Sequence, residues 1–350
     1  MKKYISIVLA VLTVLTVLPL TLAGCTQGEK VINLLNWGEY LEQSVKTKFK
    51  EKTGITIRET NVTSNEDMLI KLEQEDCPFD LCIPSDYAVE RLIKGGWLAE
   101  INYDNIPNIK NIDSDYRNLV FDPDNKYSVP YTWGALGILY NTKMVDEEDL
   151  GSWDILWNEK YSGEIYMYDS IRDAMAAALG YCGYSINTTN TDELKAAADA
   201  LIAQKPLVKA WVTDDVKDNM IDETGALALV YSGDAVWCTD EEEGNTDLDF
   251  FIPKGSNIYF DNLVIPKNSK KKDLAEQFIN FLLEPDIGSL NTEYIGYSTP
   301  NTAVLDELGD DWKSNHIFNP AKEELVDLEI FRDLGENIKL YQNEWDRVHH

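Results

Sequence analysis

Histidine is almost missing from this chain: three in 350 residues, His316, His349 and His350, two of them at the very end. With none before position 316, a Ser-His-Asp or Cys-His catalytic arrangement has almost nothing to draw on. The sequence also lacks a Gly-rich phosphate loop, a His-Glu-x-x-His pair and a Cys-x-x-Cys pair, which removes the usual phosphate-binding and zinc chemistries. Basic residues are scarce, 31 Lys and Arg against 61 Asp and Glu, a formal net charge of −30. So acidic a surface repels nucleic-acid phosphates, favours solubility and draws cations. Beyond the first two dozen residues there is no further long apolar run, and nowhere an internal repeat, a low-complexity tract or a Pro/Ser linker. No cofactor and no metal is expected. One enzyme class survives these absences, because glycoside hydrolysis needs only two carboxylates and aromatic sugar platforms. A carbohydrate-binding protein or secreted glycoside hydrolase therefore stands as the alternative reading, and a surface adhesin or scaffold as a third.

What is present begins with an address. Lys2 and Lys3 precede an apolar run from Ile5 to Leu22 that ends in Leu22-Ala23-Gly24-Cys25. A positive start, an apolar middle and small residues before a cut describe a secretory signal, here residues 1–24. The cysteine after the small pair resembles the bacterial lipobox, in which the thiol takes a lipid and becomes the new N-terminus. The competing reading is an uncleaved membrane helix, since the run is nearly long enough to span a bilayer. Lipidation at Cys25 would hold the protein on the extracytoplasmic face of the membrane without spanning it. Four more cysteines, Cys77, Cys82, Cys182 and Cys238, allow two disulfides in that compartment. Buried free thiols are an equal alternative for them.

Strand-like and helix-like segments alternate along the rest. Residues 31–35 read as a buried strand broken at Asn36-Trp37-Gly38-Glu39-Tyr40, residues 55–57 as the next, and residues 79–83 as a third, broken at Pro84-Ser85-Asp86-Tyr87. Ser64 is placed to cap a helix. A long β-rich run spans residues 127–141, and further strands fall at residues 163–168, 226–231, 250–253 and 258–265. The last clear helix is expected from about Phe331 onward. The alternation predicts an α/β fold of mixed, mainly parallel sheets flanked by helices. In such sheets ligands sit in the crevice beyond the carboxyl ends of the strands. Acids paired with aromatics gather at those ends: Trp37 with Glu39 and Tyr40, Asp86 with Tyr87, Tyr168 with Asp169 and Asp173, Tyr231 with Asp234, Tyr259 with Asp261, and Tyr297. Carboxylates hold ammonium groups, and ring faces attract them while walling the methylenes between, so the pattern suits a polyamine. Asp173 would equally serve to cap its helix, and Trp133, Trp153 and Trp157 are expected in the core.

Several segments carry a resemblance. Asn36-Trp37-Gly38-Glu39-Tyr40, Pro84-Ser85-Asp86-Tyr87, Tyr127 to Gly134, Ser152 to Trp157, Phe278 to Leu283 and Ile295 to Asn301 look like the spermidine/putrescine-binding proteins of bacterial ABC importers. The likeness runs from about Val31 to the C-terminal helix. It implies a two-lobed, periplasmic-binding-protein-like fold (type II) with a ligand cleft between lobes made of residues 31–134 plus 262–300 and 135–261 plus 301–350. It implies that Trp37 and Tyr40 box the methylenes with Glu39 between them, that Tyr87 packs alongside, and that Asp261 grips an amine. Asp173, with Asp169 close by, would hold another ammonium, and Tyr297 would stand at the mouth. Where the family's spermidine binder has tryptophans this chain has Tyr231 and Tyr259; one of its acids falls on Ser170 and its glutamine near Phe331. Asp86 and Asp234 are extra acids that compensate, and Ser85 shares their strand-end position. The implied partners are a polyamine, the membrane permease of an ABC importer and the membrane itself through the lipid, with no nucleic acid and the chain as a monomer. No catalytic residue is assigned.

Overall fold

The computed structural model describes residues 30–240, 242 and 244–349. The expected secretory leader, Cys25 and His350 lie outside the described residues. Among the described residues nine strands form one mixed sheet: β1 (Lys30–Trp37), β2 (Ile55–Val62), β3 (Leu81–Cys82), β4 (Ser128–Asn141), β5 (Ile165–Tyr168), β6 (Val208–Val212), β7 (Leu227–Tyr231), β8 (Leu248–Phe251) and β9 (Ile258–Val264). Their order is β2-β1-β3-β9-β4-β7-β5-β6, with β8 paired to β4 off that path. Parallel pairs, β1 with β3 and β5 with β6 and β7, occupy the flanks. The centre is antiparallel: β9 lies between β3 and β4, and β4 continues onto β7 and β8.

The fourteen residues of β4 are shared between two ladders. Ser128 to Ala135 pair with β9, and Leu136 to Asn141 pair with β7 and β8. Glycine is required where the second ladder begins. A Cβ on Gly137 would lie 2.3 Å from Phe250 Cζ and 2.6 Å from the Phe251 carbonyl oxygen.

Helices α1 (Gln43–Thr53), α2 (Asn65–Leu72) and α3 (Asp86–Lys94) follow β1, β2 and β3 in turn. The cap expected at Ser64 forms, its Oγ accepting from Asp67 N at 3.1 Å. The sequence break at residues 84–87 is the start of α3, so Asp86 and Tyr87 stand in its first turn. Then come α4 (Ile171–Cys182), α5 (Thr191–Gln204), α6 (Val216–Ile221), α7 (Ser232–Cys238), α8 (Lys272–Leu282), α9 (Pro285–Ile295), α10 (Thr302–Leu308), α11 (Asp310–Ser314) and α12 (Ile338–His349). One large core joins Leu34, Phe49, Leu81, Leu263, Phe278 and Phe281 beneath β1, β3 and β9. Another joins Ile165, Met175, Leu194, Leu201, Leu227 and Tyr341 around α4 and α5. From Val31 onward the described chain is one compact unit. Trp133 and Trp153 are core residues, and Trp157 is half-buried, stacked 4.1 Å from Tyr181. The four described cysteines are all unpaired.

The C-terminal helix departs from expectation. It begins at Ile338, not near Phe331. Gly335 takes a left-handed backbone with φ 52°, which an α-helix does not accommodate. The segment before it is held by tertiary bonds instead: Arg332 grips Glu90 of α3 at 2.6 and 3.0 Å, and Asp333 N donates to the same carboxylate.

Gly137→Ala is expected to destabilise the protein by about 1–3 kcal/mol, because the strand-to-strand spacing must open around a backbone oxygen. The check is the urea midpoint at unchanged slope.

Candidate ligand-binding site

The strand ends converge. β1 delivers Trp37 and, after a turn, Tyr40; the β3–α3 junction delivers Ser85, Asp86 and Tyr87. The β5–α4 junction delivers Tyr168, Ser170 and Asp173, and the β7–α7 junction Tyr231 and Asp234. β9 supplies Tyr259 and Asp261, which share a face because side chains alternate along a strand. Its register on β4 sets Asp261 opposite Thr132 and Tyr259 opposite Gly134. A Cβ on Gly134 would stand 2.3 Å from the Tyr259 hydroxyl oxygen, so this glycine gives the ring its place.

Six tyrosines form a continuous wall of edge-to-face contacts. Ring centroids are 5.8 Å apart for Tyr131–Tyr40, 5.3 Å for Tyr40–Tyr297, 6.2 Å for Tyr297–Tyr259, 5.1 Å for Tyr259–Tyr231 and 5.5 Å for Tyr231–Tyr168. Three carboxyls are set into that wall, Asp261 and Asp234 bound to a tyrosine hydroxyl and Asp173 beside one. Tyr40 donates to Asp261 Oδ2 at 2.6 Å while Thr132 holds the Tyr40 oxygen at 2.7 Å. Ser85 donates to Asp261 Oδ1 at 2.6 Å, itself positioned by Asn65. Tyr297 donates to Asp234 Oδ1 at 3.2 Å. Asp173 lies beside the hydroxyls of Ser170 and Tyr231, which favour its ionised form. Its Oδ1 is buried with no hydrogen-bond partner in the protein. A buried polar atom without a partner is costly, and here it belongs to an acid.

Burial dominates the electrostatics. It raises the carboxyls of Asp173 and Asp261 above their usual range, against the pull of their hydroxyl partners. It pushes Asp234 up to about 6, with Lys217 and Tyr297 opposing. Burial also holds the hydroxyls of Tyr40, Tyr231, Tyr259 and Tyr297 well above their ordinary range, so these remain neutral donors. Buried acids that are hard to ionise, lined by ring faces, form an environment that a positively charged ligand would stabilise.

The other expected site residues are placed as follows. Trp37 is half-buried at the end of β1 and donates its indole N–H to the Ile83 carbonyl at 2.8 Å. Glu39 is exposed and takes a left-handed backbone with φ 53°, an uncommon conformation of the kind that clusters at functional turns. Asp86 is fully buried, and both oxygens serve the backbone, accepting from Tyr87 N at 2.7 Å and Phe260 N at 3.1 Å. Tyr87 donates to Glu66 at 3.2 Å. Asp169 is exposed, 4.0 Å from His349 Nε2 on α12. Thus Tyr40, Ser85, Tyr231, Tyr259, Asp261, Asp173 and Tyr297 are brought together, whereas Glu39 and Asp169 face solvent.

Several members of the cluster had no individual signal. Thr132 is revealed only by the β4–β9 register. Asp234 was visible as an acid three residues after Tyr231. Arg172 is buried beside Asp173, its guanidinium 4.2 Å from the Phe331 ring centre and 5.5 Å from that of Tyr87. Lys217, on α6, comes to 4.0 Å from Asp234 Oδ1. Their positions depend on helix packing that sequence spacing does not report.

Comparison with known proteins supplies the family. Residues 44–320 match the model described as bacterial extracellular solute-binding protein. The chain is 34% identical over 328 residues to the spermidine/putrescine-binding periplasmic protein of Escherichia coli, covering 93% of each chain. A solved structure from Listeria monocytogenes, ascribed to a spermidine/putrescine ABC transporter, superposes with a TM-score of 0.85 at 38% identity, covering 91% of this chain and 99% of that one. The TpPotD lipoprotein of Treponema pallidum gives 0.81 at 29% identity, with coverage of 91% and 99%. The α/β fold is that of these two-lobed binding proteins.

The raised carboxyl of Asp234 fixes the sign of a pH effect. Its contribution favours the folded state below the ordinary carboxylate range and is lost as pH rises through about 6. Asp234→Asn removes this dependence. Relative to the parent, the ligand-free variant is expected to gain stability between pH 4 and pH 7, by roughly 2–3 kcal/mol at most. Urea unfolding of both proteins across that range checks it.

Proposed function

The chain belongs to the bacterial extracellular solute-binding proteins, and from that premise we propose that it captures a polyamine outside the cytoplasmic membrane and delivers it to an ABC importer. The observation that carries this reading is a set of three carboxyls within one tyrosine wall, Asp173 and Asp261 buried and Asp234 half-buried, each on or beside a tyrosine hydroxyl. Ammonium groups would lower the cost of keeping these acids ionised. The ring faces add roughly 0.5–2 kcal/mol for each cation they meet, and their breadth suits the methylenes between. Asp261 is the central anchor, because Ser85 and Tyr40 fix both of its oxygens. Trp37 and Tyr87 flank the strand ends and Tyr297 closes one side, with Glu39, Asp86 and Asp169 adding negative charge nearby.

The relatives named for spermidine and putrescine favour the same solute class, and the carbohydrate and glycosidase alternative finds no support among them. The role is transport without bond making or breaking. The lobes would be residues 31–134 plus 262–300 and residues 135–261 plus 301–350, closing over the ligand by a hinge to present a surface to the permease. Cys25 would carry the lipid that keeps a monomeric binder beside its permease and raises their effective concentration. The Treponema pallidum neighbour is a lipoprotein, which supports that anchorage.

Calorimetry with putrescine, spermidine and spermine tests the proposal. At least one is expected to bind with a Kd on the order of micromolar or tighter. Asp261→Asn should weaken that binding on the order of 30-fold to 1,000-fold, the cost of removing one partner of a buried charge pair. No heat and no thermal shift from any of the three would overturn the reading.

A further inference from the structure

The acidic cluster has a resident cation. Lys217, in the first turn of α6, holds Nζ 4.0 Å from Asp234 Oδ1 and 5.6 Å from the centre of the Trp237 ring. Asp234 and Trp237 both lie on α7, which packs against α6, so the lysine is held between a carboxylate and an aromatic face. These are the two kinds of group that a ligand ammonium requires. The Lys217 side chain keeps only a quarter of its surface exposed and that of Asp234 about a seventh.

The four carboxyls of the cluster are therefore not equivalent. Asp86 uses both oxygens on backbone N–H groups. Asp234 faces Lys217. Asp261 meets two neutral hydroxyls, and Asp173 meets neutral hydroxyls and keeps Oδ1 without a partner. Asp173 and Asp261 are buried, and among the described residues neither forms an ion pair or accepts from a backbone N–H. Arg172 adds a further fixed positive charge beside Asp173, stacked on Phe331 and bonded to the Arg332 carbonyl and to Asn187. Asp214, close enough to oppose ionisation of Asp234, adds negative charge at the Lys217 end.

We propose that Lys217 takes the place of a third ammonium at Asp234, so that the site selects a linear diamine, bound between Asp173 and Asp261, over a triamine. The proposal rests on the polyamine reading and specifies which polyamine. A third ammonium reaching Asp234 would meet Lys217 at close range, and like charges brought together where both side chains are partly withdrawn from water repel. A diamine leaves the Lys217–Asp234 pair undisturbed. Selectivity then comes from a repulsive element as well as an attractive one.

The experiment is calorimetric titration of the full mature chain with putrescine and with spermidine, in the parent and in Lys217→Met, Lys217→Gln and Lys217→Arg. The parent is expected to bind putrescine more tightly. Neutral replacement should shift the ratio of the two dissociation constants at least tenfold toward spermidine, whereas Lys217→Arg should leave it near the parent value. Two neutral variants guard against one that fails to fold, which thermal unfolding would reveal. Spermidine preference in the parent, or a ratio unchanged within twofold in a folded neutral variant, would overturn the assignment while leaving polyamine binding intact. Failure of the parent to bind either ligand would instead overturn the underlying function.

Discussion

The antiparallel ladder between β4 and β9 is the constraint on which the rest depends. β4 is one unbroken strand that serves β9 with its first half and β7 and β8 with its second. The same alignment sets Asp261 opposite Thr132 and Tyr259 opposite Gly134. Because side chains alternate with period two, a slip of one residue would turn Tyr259 and Asp261 to the other face and bring Phe260 into the acidic cluster. The ladder therefore fixes at once where the two halves of the sheet meet and which side chains stand at their junction. Two glycines on β4 make it possible. Gly134 yields room to the Tyr259 hydroxyl and Gly137 to the Phe250 ring and the Phe251 carbonyl.

Around that ladder the fold keeps acids where water would ordinarily be needed. Isolated buried carboxylates are among the most expensive groups a protein can contain, and here the buried Asp173 and Asp261 occur together with the half-buried Asp234. The structure offsets part of the cost with neutral hydroxyls: Tyr40, Ser85 and Tyr297 bind a carboxylate, and Ser170 and Tyr231 lie beside one. Hydroxyls stabilise the ionised form without neutralising it, so the negative potential remains available to a cation. The edge-to-face tyrosine chain holds those hydroxyls rigidly, since each ring is braced by the next. Elsewhere the fold pairs buried acids with bases in the usual way, as Glu90 does with Arg332. The contrast between Glu90, fully paired, and Asp173, left with a bare oxygen, separates an acid that holds the fold together from one that keeps an acceptor to spare.

Much of this was legible in the chain because it is local. Strand, break and helix follow one another with clear periodicity, so the acid and aromatic residues at β1, β3, β5, β7 and β9 could be assigned to strand ends. The cap at Ser64 and the buried Trp133 and Trp153 were legible for the same reason. Misreadings arose where a tertiary bond overrode local pattern. Phe331 looked like a helix start, but Gly335 in a left-handed conformation and the Glu90–Arg332 contact hold that stretch out of the helix. Glu39 and Asp169 carried the right chemistry in the right neighbourhood, yet their backbones direct them to solvent.

The sequence by itself determined the α/β class, the acidic balance and the residue types gathered at the strand ends. Each of these depends on composition or on neighbours within a few positions. Only the tertiary structure decided which of those residues meet. Tyr40 and Asp261 are 221 residues apart and hydrogen-bonded, and Lys217 reaches Asp234 only because α6 packs on α7. Contacts of that kind follow from strand register and helix docking, which sum many weak interactions across the whole core and leave no signature at any one position.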